Sequence, residues 1–200
     1  MRVGLLDAIR IQSLAAIFDE RQSFVEGWDD SYSAPILNHL NIAEEDGFRE
    51  RLLSLGGCIR NIFRGGAQNV RGGDNVAVAQ AAMTISGSSW ERLVTWYLNA
   101  LGCGLNMIAL NQRGQTRHLP DSYRDAFQVT INNVSISSDL DVVLLNWIGP
   151  DEQEWMNQEF ESEDRNDMNR ARRIFNDLVH EFPQHFSVCV LSTKTNWNDS

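Results

Sequence analysis

The stretch that decides the fold reads DLDVVLL at residues 139–145, where two acids lead into four apolar residues. A short apolar run entered through acid predicts a buried strand that begins at or near Asp141. The stretch FSVCVLSTK at residues 186–194 predicts a second strand. Ser192 and Lys194 lie two apart near its end, so we expect their side chains to share one face of the sheet.

Helices are predicted on both sides of these strands. Amphipathic spacing predicts a helix over residues 5–24 and another from about Pro35 to Leu55 that Gly56-Gly57 ends. Ser88 and Glu91 have the spacing of a capping box, which predicts a helix beginning at Ser88. Residues 151–181 hold ten acids and four arginines, and predict a long charged helix or helix pair.

Further strands are predicted at residues 105–110 and as a hairpin around Asn132-Asn133. This order of elements indicates an α/β fold, with α+β as the alternative. We expect an N-terminal helical region over residues 1–85. A core over residues 86–200 would follow, with its acidic helical segment at 150–182.

Composition limits the function classes. The chain has 200 residues, 42% of them hydrophobic, and a net charge of −10. No apolar stretch approaches the ~20 residues of a membrane helix. Its three cysteines lack metal-ligand spacing and favour a reducing compartment, so a cytoplasmic protein without a zinc site is expected.

Basic residues are few, which counts against nucleic-acid binding, but their placement is informative. Residues 60–74 contain Arg60 and two Arg-Gly-Gly triplets that begin at Arg64 and Arg71. The glycine pairs predict a loop. This loop is either a solvated connection or a segment that contacts DNA phosphates.

Lys194 is the sole lysine of the chain, in a protein that otherwise uses arginine. Hydrolysis of a phosphodiester at neutral pH needs a metal to activate water, and Mg²⁺ takes carboxylate oxygens as ligands. A lysine beside the metal can orient the nucleophile and stabilise the phosphate. Asp141, Lys194 and Glu91 could supply these groups. Solvated strand ends and a capping role for Glu91 are the structural alternatives.

The two strands resemble the signature of PD-(D/E)xK nucleases, and the tail at residues 194–199 (KTNWND) resembles a cassette of some type II restriction enzymes. The resemblance implies a restriction-endonuclease-like core, in which a mixed central sheet is flanked by helices. It implies Mg²⁺ as cofactor. Asp141 and Glu91 would be metal-binding and catalytic, and Lys194 would be the catalytic lysine. Ser192 would be a further catalytic residue, and the carbonyl of Thr193 a further metal ligand.

Two departures from the family pattern leave alternatives open. Ser192 stands where the family has an acid, so Glu91, Asp199 or a residue beyond Ser200 would replace it. Asp139 competes with Asp141 as the metal ligand. The family also continues further after its lysine, so the chain is read either as a piece of a longer protein or as a reduced version.

The expected function is a Mg²⁺-dependent, site-specific endonuclease of the type II restriction kind. It would act on double-stranded DNA as a homodimer, because palindromic sites suit two-fold proteins. The alternatives are a structure-specific or repair nuclease and an inactive nuclease-fold module that binds DNA or a protein. Arg60, Arg64 and Arg71 are the expected DNA contacts.

Overall fold

The structure is a computed structural model, and it describes residues 1–18, 28–44, 46–70, 76–111, 128–131, 134–137, 141–150 and 153–192. The chain divides into two compact units. Unit 1 takes Met1–Ala16 and Gly102–Thr193, and unit 2 takes Ile17–Leu101 and Lys194–Ser200. The expected boundary at residues 85 and 86 falls inside a helix of unit 2.

The elements of the described residues are numbered in chain order. The α-helices are α1 (Leu5–Ile17), α2 (Ser33–Leu40), α3 (Phe48–Val70), α4 (Val76–Leu101) and α5 (Arg165–Glu181). Shorter helical turns lie at Trp28–Tyr32, Glu154–Asn157 and Pro183–His185. The strands are β1 (Arg2–Gly4), β2 (Met107–Asn111), β3 (Gln128–Ile131), β4 (Val134–Ser137), β5 (Val142–Trp147), β6 (Glu159–Glu161) and β7 (Phe186–Leu191).

The general expectation of a chain that mixes helix and sheet is confirmed, and so are the strands predicted at 105–110, at the 132–133 hairpin, after Asp141 and after Phe186. The predicted mixed sheet is wrong for the described strands, which all pair antiparallel. The central sheet has the order β2-β5-β7. Trp147, the last residue of β5, lies opposite Phe186, the first residue of β7. The connection between them, which contains α5, therefore starts and finishes at the same end of the sheet.

Two glycine-based predictions are wrong. Helix α3 runs through Gly56-Gly57 instead of ending there, and it continues through Arg60 and Arg64 to Val70, where a loop was expected. A Cβ on Gly56 would lie 2.5 Å from the Tyr97 hydroxyl, so this glycine permits close packing of α3 against α4. In the sequence, a glycine that allows two helices to pack closely therefore looks the same as one that ends a helix.

The predicted helix start at Ser88 is also wrong, because α4 begins at Val76. Ser88 and Glu91 therefore lie in the interior of a helix, where the backbone N–H groups already have helical acceptors. The predicted charged helix over 151–181 is shorter than expected. It begins at Arg165, and Asp164 caps it by accepting from the backbone N–H groups of Asn166 and Asp167.

Helix α1 covers the outer edge of the central sheet in unit 1. The Arg10 guanidinium donates to the carbonyls of Leu105 and Met107 at 3.0 and 2.7 Å, and Ser13 Oγ donates to the Ala109 carbonyl at 2.9 Å. Met107 and Ala109 belong to β2, the edge strand, whose outward carbonyls need partners when they are buried. The helix thus closes this edge with side chains.

One face of the central sheet carries the core of unit 1, against α1 and α5. The core joins residues from α1, β2, β5, β6, α5 and β7, among them Leu5, Ile9, Ile108, Leu110, Val143, Leu145, Trp147, Phe160, Phe175 and Phe186. Gln12 ties the two helices together, since it donates to the Met168 carbonyl and accepts from Arg172. The sheet and both helices therefore form one packed body.

Unit 2 is helical in its described part. Tyr32, Phe63 and Trp90 stack in its interior with ring centroids 5.7 and 5.1 Å apart. Arg51 of α3 donates to the carbonyls of Leu40, Asn41, Glu44 and Asp46, which holds the turn between α2 and α3. Among the described helices, none has the length and apolar character to cross a membrane.

Candidate functional site

Three neighbouring strands of unit 1 carry polar residues at the same end of the sheet. Asn111 ends β2, Asp141 precedes β5 and Ser192 follows β7. Asn111 and Asp141 are buried, with 7% and 6% of their surface exposed, whereas Ser192 is exposed. Burial of polar side chains is costly unless they are hydrogen-bonded, so this end of the sheet is the candidate site in unit 1.

The backbone of β5 alternates regularly along most of its length. The Trp147 N–H donates to the Asn106 carbonyl on the β2 side, and the Ile148 N–H donates to the His185 carbonyl on the β7 side, both at 2.8 Å. Odd-numbered residues of β5 therefore direct their N–H groups toward β2, and even-numbered residues toward β7.

Asp141 departs from this alternation. It has an odd number, yet its N–H donates to the Leu191 carbonyl of β7 at 3.2 Å. Leu191 is also the register partner of Val142, so two consecutive residues face one residue of the neighbouring strand. Asp141 lies directly before β5, so this hydrogen bond ties its main chain to β7 at the end of the registered pairs.

Several expected site residues lie outside the described part of the chain. These are Lys194 and Thr193, the competing acids Asp139 and Asp199, and Arg71. Among the expected site residues, Asp141 and Ser192 are the two that the described structure places at the same end of the central sheet. The roles of the others stay predictions.

Glu91 lies in unit 2, in the interior of α4, and its side chain is buried with 5% of its surface exposed. Thr95 and Asn99 follow it at helical spacing and are fully buried. Together these three residues form a buried polar stripe along one face of α4. The Thr95 hydroxyl donates to the Glu91 main-chain carbonyl at 2.8 Å.

Arg60 and Arg64 lie one helical turn apart on α3, and both are exposed. Residues four apart are neighbours on a helix surface, so the two guanidinium groups share one face. A helix holds them at a defined spacing, which the expected loop would not have done. Their role as DNA contacts stays a prediction.

The donors at the sheet end fit Mg²⁺ by type. A carboxylate from Asp141 and a hydroxyl from Ser192 are oxygen donors, which is the class this ion prefers. Among the described residues, no three His, Cys, Asp or Glu side chains are grouped as a metal site needs.

Comparisons with protein-family models, with curated proteins and with solved structures find no match to this chain. Its function is therefore argued from its own residues.

Sequence reasoning missed Asn111, Thr95 and Asn99. Asn111 ends the apolar run MIAL in the way that Asp141 begins the run VVLL, so the mirrored pattern was a usable signal. Thr95 and Asn99 follow Glu91 at intervals of four. That signal became visible only once the helix was known to begin well before Glu91.

Proposed function

We propose that this protein is a Mg²⁺-dependent, site-specific endonuclease that hydrolyses phosphodiester bonds of double-stranded DNA. In this proposal Asp141 binds the metal, Lys194 is the catalytic lysine, and Glu91 supplies the acid that Ser192 does not. The Thr193 carbonyl is a further metal ligand.

The observation that carries the proposal is the junction between Asp141 and β7. A buried aspartate is hydrogen-bonded through its main chain to the last residue of the strand that leads, three residues later, to the sole lysine. Phosphodiester hydrolysis needs a metal-binding carboxylate, and a lysine near it stabilises charge on the phosphate.

The position of Glu91 gives separate support. Its structural alternative was a capping box with Ser88, and a helix that begins at Val76 excludes that role. A buried carboxylate in a helix interior carries a desolvation cost that a purely structural position would avoid with an apolar residue. Such residues are frequent at functional sites.

Each residue has a distinct task in this reaction. When bound, Mg²⁺ supplies charge neutralisation at the phosphate and activates a water molecule. The Asp141 carboxylate would bind the ion, and Glu91 is the acid proposed as its second carboxylate ligand. The Lys194 ammonium group orients the nucleophile and stabilises negative charge on the phosphate oxygens. Arg60 and Arg64 contribute phosphate contacts, and a homodimer would present two such sites to a palindromic sequence.

The test is cleavage of supercoiled plasmid DNA with 10 mM Mg²⁺, on the order of the concentrations such sites need, against a sample with chelator. We expect discrete fragments with Mg²⁺ and none with Asp141→Asn. Smeared or junction-dependent products would favour a repair nuclease. Sequence-specific binding without cleavage at any divalent ion concentration would favour a catalytically inactive binding module and overturn the enzyme proposal.

A further inference from the structure

The two edges of the central sheet differ in how they are covered. At one edge, helix α1 lies along β2, and the side chains of Arg10 and Ser13 donate to main-chain carbonyls there. At the other edge lies β7, and no described strand pairs with its outer side. An uncovered strand edge presents N–H and C=O groups that can pair with another chain.

The hydrogen bonds beside β7 establish which of its residues face outward. The carbonyl of His185, directly before β7, accepts from the Ile148 N–H at 2.8 Å. Odd-numbered residues of this strand therefore direct their main-chain groups toward β5. The N–H and C=O groups of the alternate residues, Phe186, Val188 and Val190, are directed toward the open edge.

This edge lacks the features that usually prevent two strand edges from pairing. Natural proteins protect exposed edges with charged side chains or prolines, and residues 186–191 contain neither. The wider segment 182–193 has no Asp, Glu, Lys or Arg, although such residues make up 22% of the chain. Ser187 and Cys189 are exposed, and Val188, Val190 and Leu191 are partly buried. The edge is therefore both accessible and uncharged.

A second copy of this chain is the partner that fits these features. Two chains with a net charge of −10 repel each other, and an uncharged segment is where they can approach with the least repulsion. Two identical strands can pair antiparallel about a two-fold axis, and this pairing uses both open edges at once. Because α1 covers the β2 edges, association stops at a dimer and does not continue into a filament.

We propose that β7 pairs antiparallel with β7 of a second copy, in a register centred on Val188, so that the two central sheets join into one. Phe186 then lies opposite Val190 of the second copy, and each outward-facing pair exchanges two hydrogen bonds. Ser187 lies opposite Cys189 of the second copy in a non-hydrogen-bonded pair. The inference rests on the homodimer of the proposed function and gives that homodimer its interface.

Charge substitutions at the facing pair test the interface, with sedimentation velocity of the full chain measuring the monomer–dimer equilibrium. We expect the wild type to dimerise. Ser187→Lys combined with Cys189→Lys places like charges opposite each other and should raise the dimer dissociation constant about 10- to 100-fold. Ser187→Lys combined with Cys189→Glu places opposite charges there and should restore dimerisation. Both positions are exposed, so circular dichroism should show a folded chain in each case.

Asn146→Lys is the matched control for these variants. Asn146 is exposed on β5 and is the register partner of Ser187, so it lies on the same face of the sheet but away from the open edge. Added lysines reduce the net negative charge, and a general charge effect would strengthen the dimer in the control and the double-lysine variant alike. A double-lysine variant that dimerises within twofold of the wild type, or a control that is weakened equally, would overturn the interface.

Oxidative cross-linking tests the register. Residues of a non-hydrogen-bonded pair have Cα atoms about 4.5 Å apart, which is within the range of a disulfide. The background is Cys103→Ser, which removes another exposed thiol. Addition of Ser187→Cys should give a covalent dimer when diamide oxidises the facing thiols, with position 187 linked to Cys189 of the second copy. Links between two Cys189 side chains alone, or no covalent dimer, would overturn the proposed register.

The interface and the endonuclease proposal fail in different experiments. If the wild-type chain is a monomer at every concentration tested, the β7 interface is overturned, and DNA cleavage by that monomer would leave the endonuclease proposal standing. If the chain dimerises through β7 and never cleaves DNA with Mg²⁺, the interface stands and the endonuclease proposal fails.

Discussion

Gly56 of α3 lies so close to Tyr97 of α4 that a Cβ at this position would come within 2.5 Å of the phenolic oxygen. The Tyr97 hydroxyl donates to the Leu53 carbonyl at 3.3 Å, and its burial raises the pKa of this tyrosine. The neighbouring Gly57 has nothing within 4 Å of a Cβ. Two adjacent glycines in one helix therefore have opposite roles.

Alanine substitutions should separate these roles. Gly57→Ala should raise the free energy of unfolding by about 0.5–1 kcal/mol, because alanine is the better helix former. Gly56→Ala should lower the free energy of unfolding below that of the wild type, because the new methyl group would displace Tyr97. Urea denaturation followed by circular dichroism measures both. In a Tyr97→Phe background, Gly56→Ala should cost less, and an unchanged cost would contradict the contact.

The proposed active site makes a graded prediction for cleavage. Lys194→Ala and Asp141→Ala should abolish Mg²⁺-dependent cleavage and leave DNA binding nearly intact, because binding energy comes mainly from phosphate and base contacts. Ser192→Ala should cost about fivefold in rate, the equivalent of ~1 kcal/mol for a neutral hydrogen bond. Single-turnover cleavage and gel-shift assays measure the two effects.

Glu91→Gln tests the displaced acid, since glutamine keeps the size of the side chain and removes its charge. We expect a loss of cleavage comparable to that of Asp141→Ala. Thr95→Val is a control on the same face of α4. If Glu91→Gln lowers thermal stability alone, Glu91 is structural, and the second carboxylate must come from Asp139, Asp199 or beyond Ser200.

The arginine pair on α3 gives a prediction for salt dependence. If Arg60 and Arg64 contact phosphates, replacing both with alanine should lower the slope of log K against log salt by roughly two units, about 0.9 for each contact. The weakening should be equal for all DNA sequences. Arg165 and Arg173, both exposed on α5, give a double variant with the same change in net charge. Equal slopes in the two double variants would remove α3 from the DNA interface.

Replacement of the buried Arg10 should lower the stability of unit 1 markedly. Arg10→Met would leave the buried carbonyls of Leu105 and Met107 without this donor, and an unsatisfied buried acceptor costs about 1–3 kcal/mol. Arg2→Met is the control, because the Arg2 side chain is 69% exposed and its ion pairs lie on the surface. Thermal melts should separate the two variants clearly, and similar melting temperatures would argue against the edge-closing role of α1.

The lowered pKa of Asp167 predicts that the stability of the fold decreases at acidic pH. The hydrogen bond from the Glu161 backbone N–H, at 2.9 Å, and the nearby Arg170 lower the pKa of Asp167 below 3.8. A lowered pKa favours the ionised form in the folded state, so the contribution to stability is present above about pH 4 and is lost as the pH falls through the folded pKa. Asp167→Asn should therefore lose less stability than the wild type between pH 5 and pH 2, values that bracket this range. Melting temperatures across the range, with Asp177→Asn as control, measure the difference.

The strands could be predicted from sequence because each is a short apolar run bounded by polar residues. Val142 to Leu145 and Phe186 to Leu191 are examples, and the structure confirms both. The helix boundaries could not be predicted, because a glycine can either end a helix or allow another helix to pack closely against it. Gly56 serves close packing, and its reason lies in Tyr97, far along the chain.

For the candidate site, the sequence identified Asp141 through its place before an apolar run. It could not identify the irregular hydrogen bond to Leu191, because that depends on the pairing register of two distant strands. The polar end of the run MIAL could have marked Asn111, but it could not show which residues lie beside it. Its proximity to Asp141 follows from the register of β2 against β5 rather than from any local pattern.

The first and last parts of unit 1 are bound to each other, and this sets an order of events during synthesis. Strand β1 pairs Arg2 with Glu161, and Gln12 accepts from Arg172, 160 positions later. Residues 2–12 leave the ribosome well before these partners, so their contacts are of high contact order and form slowly. The helices of Trp28–Leu101 are contiguous and can pack as soon as they are made. Through that interval the apolar residues of α1 lack the β-sheet that buries them in the folded unit, so they are exposed to aggregation in the nascent chain.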